Sequence, residues 1–332
     1  MYTKSLLFIG ILISLLACNN NKKTEETALP KDPVDRQIKL LSDSIFESPK
    51  NARLYFERAN LYWQKDEMEM ALNDFYKTVT FDSTNADYYY VLANFMVENG
   101  NLDRGILAME KAIQFQPKEP KHYIQTGKYH LYMKDYQKAL NYLNNALKLD
   151  ALRPDAYFYK GYIYKELKQT DKAISNFTTA TEQDPTWYEP FEQIGLIYAE
   201  QNNDLAIKFF DNAATADKRN TSSRLEKAYY YKKTKRVAES EKEYESIVVD
   251  FPQNADAIYS LGVINWEKKE YEKALKQLNI CIKIEPTYAP AFYIMGKIYK
   301  AQNNKEKAKE AFKQALVFDE NMKEAQQELA TL

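Results

Sequence analysis

Beyond residue 50, apolar and polar residues follow each other with helical spacing, in short amphipathic stretches separated by polar turns such as Glu98-Asn99-Gly100-Asn101. The pattern recurs every 34 residues, except for one interval of 33. The recurring stretches begin at Ala52, Ala86, Pro120, Pro154, Tyr188, Thr221, Ala255 and Ala289. A constant period of this length predicts stacked helical hairpins, each made of a first and a second helix.

Small residues occupy two positions of every repeat. The eighth position holds Ala59, Ala93, Gly127, Gly161, Gly195, Ala228, Gly262 and Gly296. The twentieth holds Ala71, Gly105, Ala139, Ala173, Ala206, Ser240, Ala274 and Ala308 (Ala206 stands nineteenth in the shortened fifth repeat). Large apolar or aromatic residues stand at position twenty-four, from Phe75 to Phe312. Small residues on facing helices allow close backbone approach, and the large ones fill the space beside them.

This pattern, together with proline at position thirty-two of four repeats (Pro117, Pro185, Pro252 and Pro286), resembles the tetratricopeptide repeat. The resemblance covers residues 52–320. It implies an all-α fold, a right-handed superhelical α-solenoid of eight helix-turn-helix repeats over residues 51–320. We expect capping helices over residues 34–50 and 321–332, because an uncovered end would expose its stacking face.

The start of the chain has the pattern of an export signal. An apolar run over residues 6–16 is shorter than the roughly 20 residues that span a bilayer, and it ends in Leu15-Leu16-Ala17-Cys18. This resembles the lipobox of bacterial lipoproteins, which implies a signal peptide over residues 1–17 and lipidation of Cys18. Residues 18–33 then form a lipidated cysteine and flexible tether. The alternatives are an ordinary cleaved secretory signal and a transmembrane anchor.

The residue after Cys18 bears on localisation. Lipoproteins of the best-known Gram-negative type carry an aspartate there when they stay at the inner membrane, whereas this chain has Asn19. The resemblance therefore implies a lipid-anchored protein of the cell envelope, at the outer membrane, on its periplasmic face or at the cell surface.

Composition argues against several other classes of protein. A formal charge of −1 provides no basic stripe for nucleic acid. His122 and His130 lack partners at metal-ligand spacing, and the chain has no glycine-rich phosphate loop. Cys281 stands where alanine is usual and is interpreted as a small buried hydrophobe. We therefore expect no enzyme, metal, cofactor or small-molecule substrate. The enzyme alternative, a transferase with substrate-capturing repeats, needs a separate catalytic domain.

In tetratricopeptide arrays, positions 2, 5, 9, 12 and 13 of the first helices line a concave groove. Carried onto this chain, they predict a partner-binding groove of aromatic, lysine and asparagine side chains. These are Phe56, Asn60, Trp63, Tyr90, Asn94, Lys128, Tyr132, Phe158, Tyr162, Lys165, Tyr229, Lys232, Tyr259, Trp266, Tyr293 and Lys297. Exposed aromatic clusters often mark partner contact.

The predicted function is therefore a membrane-anchored scaffold or adaptor that holds a protein or peptide in this groove. Two alternatives remain open. A tightly wound solenoid buries part of its own inner wall, and the chain could instead be a self-associating structural protein of the envelope.

The sixth repeat departs from the others. Arg224 and Lys227 stand where apolar residues are usual, and four further cations follow between Lys232 and Arg236. We predict that this junction is the least rigid part of the array and carries a basic patch for an anionic partner. The alternative is a solvated helix end.

Overall fold

The computed structural model describes residues 30–332, which form 18 α-helices and no strand. Contacts between the described residues divide them into an N-terminal unit that ends at residue 88 and a C-terminal unit, residues 89–332. The predicted signal peptide, the lipidated Cys18 and most of the tether lie outside the described residues.

The N-terminal unit contains three complete helices and the start of a fourth. They are α1 (Pro33–Glu47), α2 (Ala52–Gln64), α3 (Met68–Phe81) and the first residues of α4 (Ala86–Glu98). Helix α1 begins after Asp32, whose carboxylate accepts hydrogen bonds from the first free backbone N–H groups, at 2.9 and 3.0 Å. It buries Leu41 and Ile45 and lies in the range expected for the N-terminal capping helix.

A buried ion pair links the three helices of this unit. Asp74 on α3 is 1% exposed and accepts two hydrogen bonds from Arg58 on α2, at 2.7 and 3.0 Å. The same guanidinium donates to the hydroxyl of Ser42 on α1, at 2.9 Å. The carboxylate is therefore paired despite its burial, and α1 is held to the first repeat by a polar contact as well as by apolar packing.

The C-terminal unit continues the hairpins, with first and second helices alternating along the chain. After the rest of α4 come α5 (Leu102–Phe115), α6 (Pro120–Tyr132), α7 (Tyr136–Leu149), α8 (Pro154–Glu166), α9 (Thr170–Gln183), α10 (Tyr188–Glu200), α11 (Leu205–Ala216), α12 (Ser222–Lys233), α13 (Val237–Asp250), α14 (Ala255–Glu267), α15 (Tyr271–Ile284), α16 (Ala289–Ala301), α17 (Lys305–Phe318) and α18 (Lys323–Ala330). The all-α helical-hairpin fold predicted from the period is confirmed.

The eighth position of the repeats is small because a large side chain from the second helix lies against it. A Cβ added to Gly161 would lie 2.6 Å from the ring of Phe177, and one added to Gly296 would lie 2.5 Å from the ring of Phe312. Both rings are fully buried. The pairing of small and large residues inferred from the sequence is confirmed.

The turn inside each hairpin has a left-handed backbone at position fifteen. The residues are Asp66, Gly100, Lys134, Lys168, Asn202, Lys235, Lys269 and Asn303, with φ between 53° and 77°. Only one of them is glycine, the residue that adopts this region without steric cost. The conformation recurs in all eight repeats and reverses the chain between the two helices.

The shortened fifth repeat places a carboxylate between repeats. Helix α11 begins only at Leu205, so the preceding Asp204 stays in the turn. Asp204 accepts hydrogen bonds from the buried Tyr230 hydroxyl at 2.9 Å and from Arg236 at 2.8 Å. These bonds lower the pKa of Asp204, the tyrosine contributing most. The missing residue thus creates a polar link between the fifth and sixth repeats.

Helix α18 packs on the last repeat. Ala325 is fully buried in a cluster with Phe312 and Ala315, and Leu329 packs against it. The ammonium of Lys300 pairs with Glu328 at 2.7 Å. This short helix lies within the range expected for the C-terminal capping helix.

Candidate protein-binding face

Successive first helices of the C-terminal unit contact one another. Helices α6 and α8, α10 and α12, and α14 and α16 pack closely, while side-chain contacts join α4 to α6, α8 to α10 and α12 to α14. Their outward side chains at positions five, nine, twelve and thirteen therefore form one lateral surface, here called the first-helix face. Thirteen of the sixteen predicted groove residues lie on first helices of this unit.

Two tyrosines of the first-helix face are well exposed. Tyr132 at the end of α6 is 55% exposed, and Tyr229 on α12 is 59% exposed. Large aromatic side chains that remain this open are available to pack against a partner. They are the most accessible of the predicted aromatic residues in the described chain.

Two lysines of this face lie over aromatic rings. The ammonium of Lys128 lies 5.7 Å from the ring centres of both Tyr132 and Tyr159. The ammonium of Lys297 lies 4.7 Å from the ring of Trp266 and 5.6 Å from that of Tyr293. These cation–π contacts restrict the lysines and order the rings in advance of any binding.

Other polar groups of the face are satisfied by the neighbouring repeat. Lys165 donates to the side-chain oxygen of Gln193 at 2.9 Å, and Lys232 pairs with Glu267 at 2.9 Å. The side-chain oxygen of Asn94 accepts from Gln125 at 2.8 Å and from Tyr129 at 2.6 Å. These residues link repeats, so partner binding is not needed to explain their presence.

Phe158 lies in an aromatic cluster and is only 8% exposed. Its ring centre is 4.4 Å from that of Trp187 and 4.9 Å from that of Tyr162, and it also contacts Phe177. The expectation that Phe158 faces a partner is therefore corrected, since its ring packs inside the array. Tyr162 packs edge-on against the same cluster and stays half-buried.

The remaining predicted aromatics of the C-terminal unit are half-buried. Tyr90 packs against His122, with ring centres 5.6 Å apart, and Tyr259 packs against Tyr288 at 5.1 Å. Burial raises the pKa of Tyr259 to about 12. Such rings contribute one edge to the surface while the rest packs between repeats.

Three predicted residues belong to the N-terminal unit. Phe56 packs on Tyr88 and Phe75, with ring centres 4.9 and 6.2 Å apart, and Trp63 lies edge-on to Phe75 at 6.1 Å. The amide of Asn60 donates to the carbonyl of Phe56 at 2.7 Å and so is turned back onto its own helix. All three are half-buried.

Two carboxylates near the first-helix face were absent from the predicted groove residues. Glu192 on α10 accepts a hydrogen bond from Ser223 on α12, at 3.0 Å. Glu226 follows one turn after Ser223 and has no ion-pair partner among the described residues. Burial and then the charge of Glu192 raise the pKa of Glu226. Glu192 stands at groove position five, so the repeat register could have predicted it as a groove residue. Glu226 stands at position six, which the register does not assign to the groove.

The cations of the sixth repeat are largely neutralised. Arg224 pairs with Asp250 at 2.7 Å and with Glu243 at 3.3 Å, and Lys227 pairs with Asp211 at 2.7 Å. Lys232 and Arg236 are paired as described above. The hypothesis of a free basic patch is therefore corrected, because acidic residues on α11, on α13 and in the turn before α11 neutralise these cations.

The chemical inventory of residues 30–332 is short. Cys281 is fully buried, and burial raises the pKa of its thiol to about 12, as expected for a small core residue. No group of three or more His, Cys, Asp or Glu residues in the described range is placed to hold a metal ion. Within the same range, every helix is too short or too polar to cross a membrane.

Family models described as tetratricopeptide repeat match residues 52–85, 86–119, 124–186, 225–284 and 289–327. Together these segments cover well over half of the chain. The chain belongs to the tetratricopeptide repeat family. A comparison with the curated proteins finds no significant match.

Solved structures of the same family resemble this fold. A tetratricopeptide repeat protein from Parabacteroides merdae is 21% identical, with a TM-score of 0.51 over 74% of this chain and 97% of that one. The C-terminal part of a repeat protein from Cytophaga hutchinsonii is 18% identical, with a TM-score of 0.58 over 72% of this chain and 99% of that one. YrrB, described as having an unusual peptide-binding site, is 26% identical, with a TM-score of 0.43 over 56% of this chain and 96% of that one. Tetratricopeptide repeats suggest a scaffold for interactions between proteins.

Proposed function

We propose that this protein is a lipid-anchored scaffold or adaptor of the bacterial cell envelope, which binds a protein or peptide through its first-helix face. The anchor is Cys18, at the end of the lipobox-like Leu15-Leu16-Ala17-Cys18. The polar tether over residues 18–33 then separates the repeats from the outer membrane.

The proposal rests chiefly on the ordered aromatic surface of the C-terminal unit. Tyr132 and Tyr229 are exposed, while Lys128, Lys297 and the half-buried rings around them are held by contacts between repeats. A surface that is ordered before binding loses little conformational freedom when a partner arrives, which favours affinity. Rigid tyrosines also contribute much contact area for few rotatable bonds.

A partner suited to this face is an extended peptide or an amphipathic helix with apolar anchors. The exposed tyrosines accept apolar side chains, and the free carboxylate of Glu226 accepts a hydrogen-bond donor or a cation at the same face. The first-helix face spans several repeats, so a partner can engage more than one anchor at a time.

The test is affinity purification of the full-length chain from its own membranes after mild cross-linking, with mass spectrometry of the captured proteins. The altered chain carries Tyr132→Ala and Tyr229→Ala, both at exposed positions whose loss should leave the fold intact. Tyr76→Ala is the matched control, because Tyr76 is an exposed tyrosine on the second helix α3. Circular dichroism and thermal unfolding confirm folding of all three.

We expect a partner that is captured by the native chain and by Tyr76→Ala, and that is lost or reduced at least tenfold with the double variant. Identical partner lists for all chains would move the binding surface away from the first-helix face. If no partner is captured and the size in detergent rises with concentration, self-association is favoured instead.

A further inference from the structure

A second surface, on the side of the second helices, contains an acidic cavity next to a buried histidine. The cavity lies between α5 and α7, is closed at one end by the last turn of α6, and has a volume of about 390 Å³. This is many times the roughly 30 Å³ that a water molecule occupies in the liquid. It belongs wholly to the C-terminal unit, and none of its lining residues belongs to the first-helix face.

Three carboxylates line this cavity, Asp103 and Glu110 on α5 and Asp135 in the turn before α7. Asp103 has no hydrogen-bond or ion-pair partner among the described residues. Within the same described range, Glu110 accepts a single long hydrogen bond, from the hydroxyl of Tyr142 at 3.4 Å. Asp135 pairs with Lys138, at 3.3 Å. One cation faces three carboxylates, so the lining has an excess of negative charge.

The buried histidine provides an independent indication of a ligand. His130 is 5% exposed, lines the cavity and stacks on Tyr142, with ring centres 5.4 Å apart and planes within 10°. Its Nδ1 atom has no hydrogen-bond partner among residues 30–332, and the carboxylate of Asp135 is 3.9 Å away. A buried polar atom without a partner is costly, so its presence beside an open cavity indicates that something else satisfies it.

The position of His130 is also unusual within the chain. It stands eleventh in its repeat, where five of the other repeats have tyrosine, namely Tyr62, Tyr164, Tyr198, Tyr231 and Tyr299. The rim of the cavity is apolar, since Leu107 is 62% exposed and Met133 is 46% exposed. An apolar rim contributes nothing to the binding of a free small cation. When the ligand is a side chain of a partner protein, the partner residues on either side of it can pack on this rim.

We propose that this cavity binds an arginine side chain of a partner protein. The guanidinium group donates hydrogen bonds to the carboxylate of Glu110 and to Nδ1 of neutral His130, while Asp103, about two helical turns before Glu110 on α5, adds negative charge to the cavity. A guanidinium has five N–H donors in one plane and can donate hydrogen bonds to several acceptors at once. The ammonium of lysine is a compact charge and is less suited to this arrangement. The aliphatic stem and the flanking residues lie against Leu107 and Met133.

The charges around His130 set the pH dependence of this binding. Burial lowers the pKa of His130, and this effect exceeds the opposing influence of Asp135. Lys138 also lowers this pKa and Glu110 raises it, while Tyr142 stacks on the ring and Asp103 lines the cavity. The imidazole is therefore neutral at pH 7 and accepts a hydrogen bond. Protonation replaces the acceptor with a cation, so binding weakens as the pH falls through the titration of His130.

The experiment uses the full-length chain in a nonionic detergent, with ¹³C-labelled histidine. The chain has only two histidines, so His130→Asn identifies the signal of His130. The probe is arginine with an acetylated amino group and a methylamide at its carboxyl group. The matched control is citrulline blocked in the same way, which is uncharged. We expect saturable movement of the His130 signal with the arginine probe, little with citrulline, and a lower titration midpoint of His130 when the probe is bound.

Glu110→Gln tests the carboxylate without endangering the fold, because Glu110 is exposed. We expect about tenfold weaker binding of the arginine probe, as for loss of one charge-assisted hydrogen bond. Glu182→Gln, an exposed glutamate on the second helix α9, should leave the affinity unchanged. The proposal is overturned if the arginine probe does not move the His130 signal, if citrulline binds equally well, or if both glutamine variants bind like the native chain.

Discussion

At the scale of single residues, the turn of each hairpin depends on one backbone conformation. The left-handed position fifteen is occupied by lysine, asparagine or aspartate in seven of the eight repeats. A residue with a Cβ is less favourable there than glycine by about 1–2 kcal/mol. The fold tolerates this cost in every repeat because the helices on both sides pack together and determine the path of the turn.

Lys269→Gly should therefore stabilise the protein. Lys269 is exposed, with φ of 63°, and glycine removes the strain while losing no packed side chain. The expected gain is about 0.5–1 kcal/mol after the greater freedom of glycine in the unfolded chain is included. The measurement is the midpoint of urea unfolding.

Gly100→Ala is the converse test. A Cβ at Gly100 meets no atom of the described residues within 4 Å, so any loss of stability reports the backbone conformation. We expect a lower urea midpoint for this variant. A stabilising Gly100→Ala, or a destabilising Lys269→Gly, would contradict the account of this turn.

At the scale of helices, stability in the N-terminal unit depends on pairing of a buried charge. Arg58 joins α2 to α3 through Asp74 and to α1 through Ser42. An ion pair of this kind adds little over a well-packed apolar pair, yet the loss of one partner leaves a charge uncompensated in the interior. The contact thus adds a polar link through one guanidinium to the apolar packing that positions α1.

Arg58→Met should cost about 3–5 kcal/mol, because it leaves the carboxylate of Asp74 buried without its cation. Arg58→Met combined with Asp74→Leu should recover most of that loss. Urea unfolding of the two variants and the native chain provides the comparison. Equal losses in the single and double variants would show that packing, and not the unpaired charge, determines the effect.

At the scale of the whole molecule, the repeats and the helices at their two ends make up nearly all of the described residues, and the proposed anchor lies in the first 29 residues. In the sequence, the apolar run and Cys18 come before the polar tether. Among residues 30–332, no helix is long and apolar enough to cross a membrane. In the proposed function, the lipid at Cys18 attaches the chain to the membrane.

Cys18→Ala should remove the full-length chain from the membrane fraction and abolish incorporation of labelled palmitate. Cys281→Ala is the matched control, since Cys281 is fully buried in the core and should not be acylated. Fractionation and labelling in the bacterial host provide the measurement. Retention of Cys18→Ala at the membrane would contradict the lipid anchor.

The sequence alone determined the hairpins, their register and the small and large residues that pair inside them. The same spacing of small and large residues recurs in every 34-residue repeat. It therefore predicts the contact between Gly161 and Phe177 that the structure contains. The period predicts that the sixth repeat starts at Thr221, and helix α12 begins one residue later, at Ser222. Local spacing therefore predicted the elements closely.

Tertiary structure decided which surface residues remain available to a partner. Phe158 and Tyr132 both carry aromatic rings at groove positions, yet the first is enclosed by Trp187 and the second is open. The pairing of Arg224 with Asp250 and the cavity beside His130 likewise depend on neighbouring helices. Exposure and charge pairing depend on side chains that lie about a helix or a full repeat away in sequence, and a local pattern does not contain that information.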